Sequence, residues 1–172
     1  VLPNDTDADA DPLTASLTAG PAHGSLTLNP NGSFSYVPVA NYSGTDSFTY
    51  TVSDGIATSN TATAAIAIIP TNDAPISNGS SFSVNEDSTY SGSVSVSDVD
   101  GDTVSSVVVT GPSHGSLTLN TNGSFSYTPV ADYNGADSFT FTANDGTATS
   151  APSLVQITVT PINDAPVAHI DT

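Results

Sequence analysis

The chain of 172 residues carries 17 acidic residues and no lysine or arginine, which gives a formal net charge of −17 at pH 7. Nucleic acids and anionic membranes attract basic patches, so this charge argues against both as partners. Cysteine is absent, which excludes a disulfide framework, and no apolar run of 18 residues predicts a membrane span. A compact chain with this much negative charge is destabilised by self-repulsion unless cations offset it.

The sequence contains one module twice. Residues 20–75 and 111–166 share 36 identities in 56 positions without a gap, at a constant offset of 91. We therefore predict tandem repeats. Repeat 1 spans residues 1–71, an Asn-Asp-Ala-Pro linker spans 72–75, repeat 2 spans 76–162, and residues 163–172 form a linker and the first strand of a third repeat. Repeat 1 has no counterpart of the first strand, so we expect the sequence to be a fragment of a longer protein.

Seven short segments of the second copy alternate apolar and polar residues between Gly, Pro, Asn or Asp, as strands do. Their number and the turn signals about every 8–12 residues predict an all-β, seven-stranded, Ig-like Greek-key sandwich. In chain order these segments span residues 81–85, 91–97, 103–110, 115–120, 123–128, 137–143 and 153–160.

The alternation also predicts which side chains face the core. In each copy a tyrosine, Tyr42 or Tyr133, directly precedes the sixth strand, at the position of a tyrosine corner. The residues expected inside are Leu117, Leu119, Phe125, Tyr127, Phe139, Phe141, Ile157 and Val159, and those expected in water are Thr118, Ser126, Thr140 and Thr158.

Three aspartates, Asp98, Asp100 and Asp102, alternate in the loop between the second and third predicted strands. Their spacing suggests an EF-hand, whose loop requires Gly at position 6 and Glu at position 12. Counted from Asp98 these positions hold Thr103 and Val109, so an EF-hand is excluded. The plain alternative is an acidic turn whose aspartates are solvated.

The topology predicts a metal site where the chain enters the second sandwich. The loop of Asp98 and Asp100, the loop of Asp145 after the sixth strand, and the incoming Asn72 and Asp73 should meet at this end. No lysine or arginine is available to neutralise the carboxylates. Hard oxygen ligands in this number, with carbonyls and water, suit calcium.

A second and thinner acidic set is predicted at the other end of the copy. Glu86, the only glutamate, ends the first strand beside Asp87. Asp132 and Asp137 lie in the connection before the sixth strand, and Asn163 and Asp164 lead out of the module. For Asp137 and its counterpart Asp46 an alternative stays open, which is that they cap backbone amides.

The motifs "DADAD" and "DVDGD", paired with "NDAP" and "GSLTLNxNGSFSYxPxxxYxGxDSFTYTxxDG", resemble the bacterial cadherin-like, Ig-like tandem repeats. The resemblance implies extracellular or cell-surface cadherin-like sandwiches joined end to end, with calcium near the junctions. The ligands it implies are Asn72, Asp73, Asp98, Asp100 and Asp145, with Asn163 and Asp164 at the next junction and Asp7, Asp9 and Asp54 at the previous one. The linker "TNDAP" has two possible ligands fewer than the Asp-x-Asn-Asp-Asn linker of animal cadherins.

We predict that the chain is a non-enzymatic, calcium-rigidified spacer of a large bacterial surface or secreted adhesin-like protein. Its partners are then adjacent repeats, and polysaccharide or a cell-surface partner is bound through other domains. The alternative is a carbohydrate- or protein-binding module, which would need exposed aromatic side chains; Tyr90 is the one hardest to place. Catalysis is disfavoured, because His23 and His114 have no carboxylate nearby in the sequence and a single glutamate gives no glycosidase pair.

Overall fold

A computed structural model of the chain describes residues 1–166, and these fall into two compact units. The first unit is Val1–Thr71, and the second begins at Asn72. Residues 167–172, which include most of the predicted strand of a third repeat, lie outside the described residues. Among residues 1–166, no helix is long and apolar enough to cross a membrane.

The first unit is built from five strands and one turn of 3-10 helix at Leu2–Asn4. Strands β1, β4 and β5 form one antiparallel sheet in that order, and β2 pairs with β3 in a hairpin. The strands are β1 (Thr14–Ala19), β2 (Gly24–Leu28), β3 (Phe34–Pro38), β4 (Gly44–Ser53) and β5 (Ala62–Ile68).

The second unit has nine strands. One sheet has the order β10-β13-β14-β7, in which β7 runs parallel to β14 and the other pairs are antiparallel. A second sheet has the order β11-β12-β8, and β6 pairs with β9. The strands are β6 (Ile76–Asn78), β7 (Ser80–Asn85), β8 (Tyr90–Ser93), β9 (Ser95–Ser97), β10 (Ser105–Thr110), β11 (Gly115–Leu119), β12 (Ser124–Pro129), β13 (Gly135–Asn144) and β14 (Ser153–Thr160).

The predicted all-β class is confirmed, and each of the seven predicted segments coincides with strand structure. The segment 91–97 is interrupted at Val94, whose amide donates to the Gly123 carbonyl at 2.9 Å, so it forms the two strands β8 and β9. Strand β6 was not predicted, because its three residues directly follow a proline and are too few to show alternation.

The core of the second unit follows the predicted alternation. Leu117 and Leu119 are half-buried and pack against it. Of the four residues expected in water, Thr118 and Thr158 are exposed, whereas Ser126 and Thr140 are half-buried. Its buried apolar residues are Val84, Val94, Phe125, Tyr127, Phe139, Phe141, Val155, Ile157 and Val159.

The first unit buries less of the same apolar surface. Phe48, Tyr50 and Val52 are buried, but Phe34 is 46% exposed, whereas its counterpart Phe125 in the second unit is 5% exposed. Residues 1–71 contain no counterparts of β7 and β8, so the edges of β5 and β3 have no neighbouring strand there. Within residues 1–71 these sheet edges and the side chain of Phe34 are therefore exposed.

Candidate metal centres

The loop after β9 folds around the carboxylate of Asp98. Oδ1 of Asp98 accepts hydrogen bonds from the amides of Asp100 at 2.8 Å and Asp102 at 3.3 Å. Gly101 has φ +81°, a left-handed conformation that glycine adopts without strain. The turn brings one carboxylate oxygen from each of Asp98, Asp100 and Asp102 within 4.8 Å of one another.

The second oxygen of Asp98 is the unusual atom of this turn. Asp98 Oδ2 is buried and has no hydrogen-bond partner among residues 1–166. A buried carboxylate oxygen normally accepts a hydrogen bond or binds a cation, because removal from water without compensation is costly. Because two further carboxylates lie beside that of Asp98, this side chain fits a ligand to a hard cation.

The linker meets this loop through two direct hydrogen bonds. The amide of Asp73 donates to Asp100 Oδ2 at 2.7 Å, and Nδ2 of Asn72 donates to Asp145 Oδ2 at 3.0 Å. The structure therefore joins the linker to both loops of this end, Asn72 to Asp145 and Asp73 to the turn of Asp98–Asp102. We call Asn72, Asp73, Asp98, Asp100, Asp102 and Asp145 the linker-end cluster.

Asp145 is held as an ionised carboxylate by its own loop. Its Oδ1 accepts the amides of Thr147 and Ala148, each at 2.6 Å. The hydrogen bond from Ala148, then those from Asn72 and Thr147, lower the pKa of Asp145 below its usual range. Asp145 thus contributes a fixed negative charge next to the linker.

The first unit repeats the aspartate turn. Asp7 Oδ1 accepts the amides of Asp9 at 2.8 Å and Asp11 at 3.3 Å. Ala10 has a left-handed φ of +63°, as its counterpart Gly101 is also left-handed. Asp54, the counterpart of Asp145, accepts two loop amides at 2.7 Å, and these bonds lower its pKa. Asp7 and Asp54 therefore accept loop amides as their counterparts do, but the oxygens of Asp7, Asp9 and Asp11 are not grouped within 4.8 Å as those of Asp98, Asp100 and Asp102 are.

A second acidic group lies at the opposite end of the second unit. One oxygen from each of Asp87, Asp132 and Asp164 lies within 4.8 Å of the others. The pKa of Asp164 is raised by burial and then by repulsion from Asp132, Asp87 and Glu86. We call Glu86, Asp87, Asp132 and Asp164 the far-end cluster. Its carboxylates repel one another, as the raised pKa of Asp164 shows.

Glu86 is anchored within this cluster rather than solvated. Its side chain is buried, Oε1 accepts the amide of Ile162 at 2.7 Å, and Oε2 accepts Nδ2 of Asn134 at 3.3 Å. The predicted Asn163 turns its amide group to the carbonyl of Asp164 at 3.2 Å. Asn134 had not been identified from the sequence, because a single asparagine in a loop gives no spacing signal.

Asp137, predicted as a ligand of this end, has a different set of partners. Its two oxygens accept the amides of Ser113, His114 and Ser138 at 2.9 Å and the hydroxyl of Tyr127 at 2.8 Å. Burial alone would raise the pKa of Asp137, but these four hydrogen bonds lower it. The geometry supports the alternative of a carboxylate that caps backbone amides, and we leave Asp137 out of the far-end cluster.

Asp46 has the same arrangement in the first unit. It accepts three backbone amides and the hydroxyl of Tyr36, and these bonds outweigh the effect of burial and lower its pKa to about 2. For Tyr36, burial and then Asp46 raise the pKa of the phenol to about 12. The repeated pair ties the turn before β2 or β11 to the long strand β4 or β13.

His23 and His114 each lie near a carboxylate that is distant in the sequence. The ring of His114 stacks on Tyr133 with centroids 4.1 Å apart, and its Nδ1 lies 4.0 Å from Asp137 Oδ1. This distance exceeds a hydrogen bond, and both oxygens of Asp137 already accept other donors. The pair therefore lacks the base-orienting contact of a nucleophilic site.

The aromatic side chains form no exposed row among residues 1–166. Tyr90 stacks on Phe82 with centroids 4.0 Å apart and packs against the core, which explains a residue that alternation could not place. Tyr133 donates its hydroxyl to the Ala136 carbonyl at 2.7 Å, as the equivalent Tyr42 does to Thr45 at 2.9 Å. All six tyrosines are buried or half-buried, so they offer no platform for stacking on sugar rings.

The fold and these acidic ends define a class of all-β, sandwich-like modules that present carboxylates at the ends of the sheets. The family model described as "Bacterial cadherin-like domain" matches the chain twice, over residues 1–70 and 72–161. The chain belongs to this bacterial cadherin-like domain family, and the predicted family resemblance is confirmed. None of the curated proteins matches the chain.

Cadherin ectodomains are among the solved structures with this fold. Human protocadherin-24 EC1-2 is 23% identical with a TM-score of 0.71, and the match covers 91% of this chain and 86% of that one. Human CDH23 EC21-23 is 17% identical with a TM-score of 0.64 over 88% and 60% of the two chains. The endo-fucoidan hydrolase MfFcnA4 is 25% identical with a TM-score of 0.45 over 90% of this chain. The present chain spans 24% of that hydrolase.

Proposed function

We propose that the chain is a pair of calcium-stiffened spacer modules from a large bacterial cell-surface or secreted adhesin-like protein. The observation that carries this proposal is the buried Asp98 Oδ2, which has no hydrogen-bond partner among residues 1–166, on a residue whose carboxylate lies beside two others. The membership of the bacterial cadherin-like family supports it. Spacing and orienting other domains requires no catalysis.

Calcium is the cation that fits this donor set best. Asp98, Asp100 and Asp102 each bring a carboxylate oxygen within 4.8 Å of the others. Asp145 would add a carboxylate oxygen, and Asn72 and Asp73, which contact the loops through N–H groups here, would add side-chain oxygens. All of these are hard oxygen donors, and the set contains no histidine or sulfur ligand that would favour zinc or copper. Because the chain has no lysine or arginine, a divalent ion is also the direct means of offsetting this charge.

The expected affinity fits an extracellular location. Calcium sites of extracellular modules bind at about 10⁻⁴–10⁻³ M. Millimolar extracellular calcium fills such a site, whereas cytosolic calcium leaves it empty. The ion would then act as a structural component outside the cell.

The mechanical effect follows from where the ligands lie along the chain. Asn72 and Asp73 follow directly after the first unit, while Asp100 and Asp145 lie on loops of the second unit. In the structure one exposed hydrogen bond joins each linker residue to a loop of the second unit. A cation shared by the linker and both loops would remove conformational freedom from the connecting segment.

The remaining predicted ligands would bind calcium at the other ends of the two units. The far-end cluster, with Asn163 and Asp164 leading out, would bind calcium against a following module. Asp7, Asp9 and Asp54 would do so against a preceding linker. In this arrangement the partners of each module are its neighbouring repeats, and polysaccharide or a cell-surface partner would be bound through other domains.

Small-angle scattering of the full chain with and without calcium tests this function. We expect the maximum dimension to become better defined and the chain stiffer in calcium, and unchanged when sodium chloride supplies the same ionic strength. Asp98→Asn should abolish the response. The matched variant Asp7→Asn removes the same charge from the equivalent turn of the first unit and should retain it. A wild-type profile that is identical in calcium and in chelator would refute the stiffening role.

A further inference from the structure

Two strands from opposite ends of the second unit's sequence, β7 and β14, lie side by side and run in the same direction. They pair in parallel over six positions, from Ser80 opposite Val155 to Asn85 opposite Thr160. The chain reaches Ser80 from the linker through β6, and it leaves the last strand after Thr160. Tension between the two ends of the unit is therefore directed along the paired strands.

The direction of pull decides how the hydrogen bonds of such a strand pair break. When two strands are pulled apart from one shared end, the bonds open one after another and each carries the load alone. When the strands are pulled lengthwise in opposite directions, the bonds share the load and break together. The bonds of a parallel pair are evenly spaced along the strands, so β7 and β14 meet tension along the chain in the second way.

The side chains of β7 also resist sliding along β14. Val84 belongs to the same buried core as Val155, Ile157 and Val159 of β14, and Phe82 packs against this core. A shift of one position along the partner strand moves inward side chains to the other face of a sheet. Phe82 and Val84 would then leave the core, so apolar contacts are lost in the same step as the hydrogen bonds.

Side-chain hydrogen bonds join the strands at both ends of the pair. At the entry end, the Ser77 hydroxyl of β6 donates to the Ala151 carbonyl at 2.8 Å, and the Ser153 hydroxyl donates to the Ser77 carbonyl at 2.7 Å. At the exit end, the Thr160 hydroxyl donates to Asn85 Oδ1 at 2.7 Å. These bonds lie where tension along the chain reaches the paired strands.

We propose that the second unit is a load-bearing element, in which β6 and β7 hold onto β14 and resist tension along the chain. We call β6, β7 and β14 the clamp. The resistance is a property of the fold, and its use in a tether rests on the proposed spacer role. None of the clamp contacts given above involves a proposed calcium ligand, so the resistance does not require the ion.

Single-molecule force measurements on the full chain test the clamp, with handles attached to pairs of introduced cysteines. The sequence has no cysteine, so the introduced pair provides the only attachment points. The pair Ala74→Cys and Pro161→Cys loads β7 and β14 lengthwise, whereas Ser88→Cys and Pro161→Cys pulls them apart from one shared end. All three residues are exposed, and none is a proposed calcium ligand.

We expect the lengthwise pair of handles to require the higher force for the same unfolding rate. Equal forces for the two pairs would overturn the proposal. Thr160→Val removes the hydroxyl bond at the exit end of the clamp. At the same lengthwise force this variant should unfold about fivefold faster, which corresponds to a hydrogen bond of about 1 kcal/mol that is lost in the transition state.

The matched control is Thr128→Val, which removes the contact of 2.7 Å between the hydroxyls of Thr128 and Thr89. Thr128 and Thr160 are both half-buried, but Thr128 lies in β12, outside the clamp. Urea unfolding should show a similar loss of stability for the two variants, whereas Thr128→Val should change the lengthwise unfolding rate by less than about twofold. An unchanged rate for Thr160→Val, or an equal acceleration by Thr128→Val, would overturn the proposal.

Repeating the measurement in chelator and in about 5 mM calcium, above the ~10⁻⁴–10⁻³ M range of such sites, separates the clamp from the proposed function. The lengthwise pair of handles should require the higher force in both solutions. This result in a chain whose shape does not respond to calcium would keep the clamp and refute the calcium-stiffened spacer. A lengthwise resistance that disappears in chelator would show that the contacts of β7 with β14 do not carry the load, and the clamp would be refuted.

Discussion

Asp98→Asn should stabilise the second unit without calcium and make it less stable than the wild type with calcium. Without calcium the substitution removes one charge from three carboxylates whose nearest oxygens lie within 4.8 Å. Two unit charges at this distance repel by roughly 0.9 kcal/mol in water, and Asp98 has two such neighbours. After screening by salt, the variant should gain about 1 kcal/mol in free energy of unfolding in chelator. The carbonyl oxygen of the substituted asparagine can keep the hydrogen bonds from the amides of Asp100 and Asp102.

With calcium the wild type should be the more stable protein. A ligand that binds only the folded state stabilises it by RT ln(1 + [L]/Kd). For about 5 mM calcium and a Kd of ~10⁻⁴–10⁻³ M this amounts to about 1–2.3 kcal/mol. The variant lacks the buried oxygen that we assign as a ligand, so its gain should fall below about 0.5 kcal/mol.

Scanning calorimetry of the full chain measures this reversal. The transition of the second unit is identified with Val155→Ala, which removes volume from its core and lowers that transition alone. The order of stability should be variant above wild type in chelator and wild type above variant in calcium. Equal calcium stabilisation of the two proteins would refute the assignment of Asp98 Oδ2 as a ligand.

Three further predictions concern the fold. Ser106→Ala should stabilise the second unit by about 1 kcal/mol in urea unfolding, because the Ser106 hydroxyl is buried without a partner among residues 1–166. The first unit has Ala15 at the equivalent position. A loss of stability would contradict this prediction. Phe125→Ala should lower the free energy of unfolding of the second unit by about 3–5 kcal/mol. Phe34→Ala should lower that of the first unit distinctly less, because Phe34 is 46% exposed whereas Phe125 is 5% exposed. Equal losses would argue against the open sheet edge of the first unit. Asp137 has a lowered pKa in the folded state, so its stabilisation is complete above its unfolded pKa of 3.8 and is lost as pH falls below it. Asp137→Asn should therefore flatten acid unfolding followed by circular dichroism, and an unchanged acid limb would contradict this role.

Most of the strands could be predicted from the alternation of apolar and polar residues and from the internal repeat. The strands of the second unit have side chains of period two, so residues such as Phe139 and Ile157 were placed in the core from the sequence alone. The interruption at Val94 and the short strand β6 were not predictable, because each depends on one contact with a distant segment. Local pattern does not encode such contacts.

The site was predicted where topology alone brings residues together. Asn72, Asp100 and Asp145 were grouped because their loops share one end of a sandwich, and the structure joins the linker to both loops. The sequence left Asp137 open between two roles, because an aspartate near the start of a strand has the same sequence signature whether it binds an ion or caps amides. The choice depends on the four donors that surround it, and Tyr127 among them comes from another strand.

A crystal structure of the chain grown in about 5 mM calcium tests the central claim most directly. We predict an ion in the linker-end cluster with Asp98 Oδ2 at about 2.3–2.6 Å, the distance of calcium–oxygen bonds, and with ligands from both the loop and the linker. Magnesium at the same concentration should leave the position without a comparable ion, because its octahedral geometry demands shorter bonds. A structure in calcium with only water beside Asp98 Oδ2 would contradict the account.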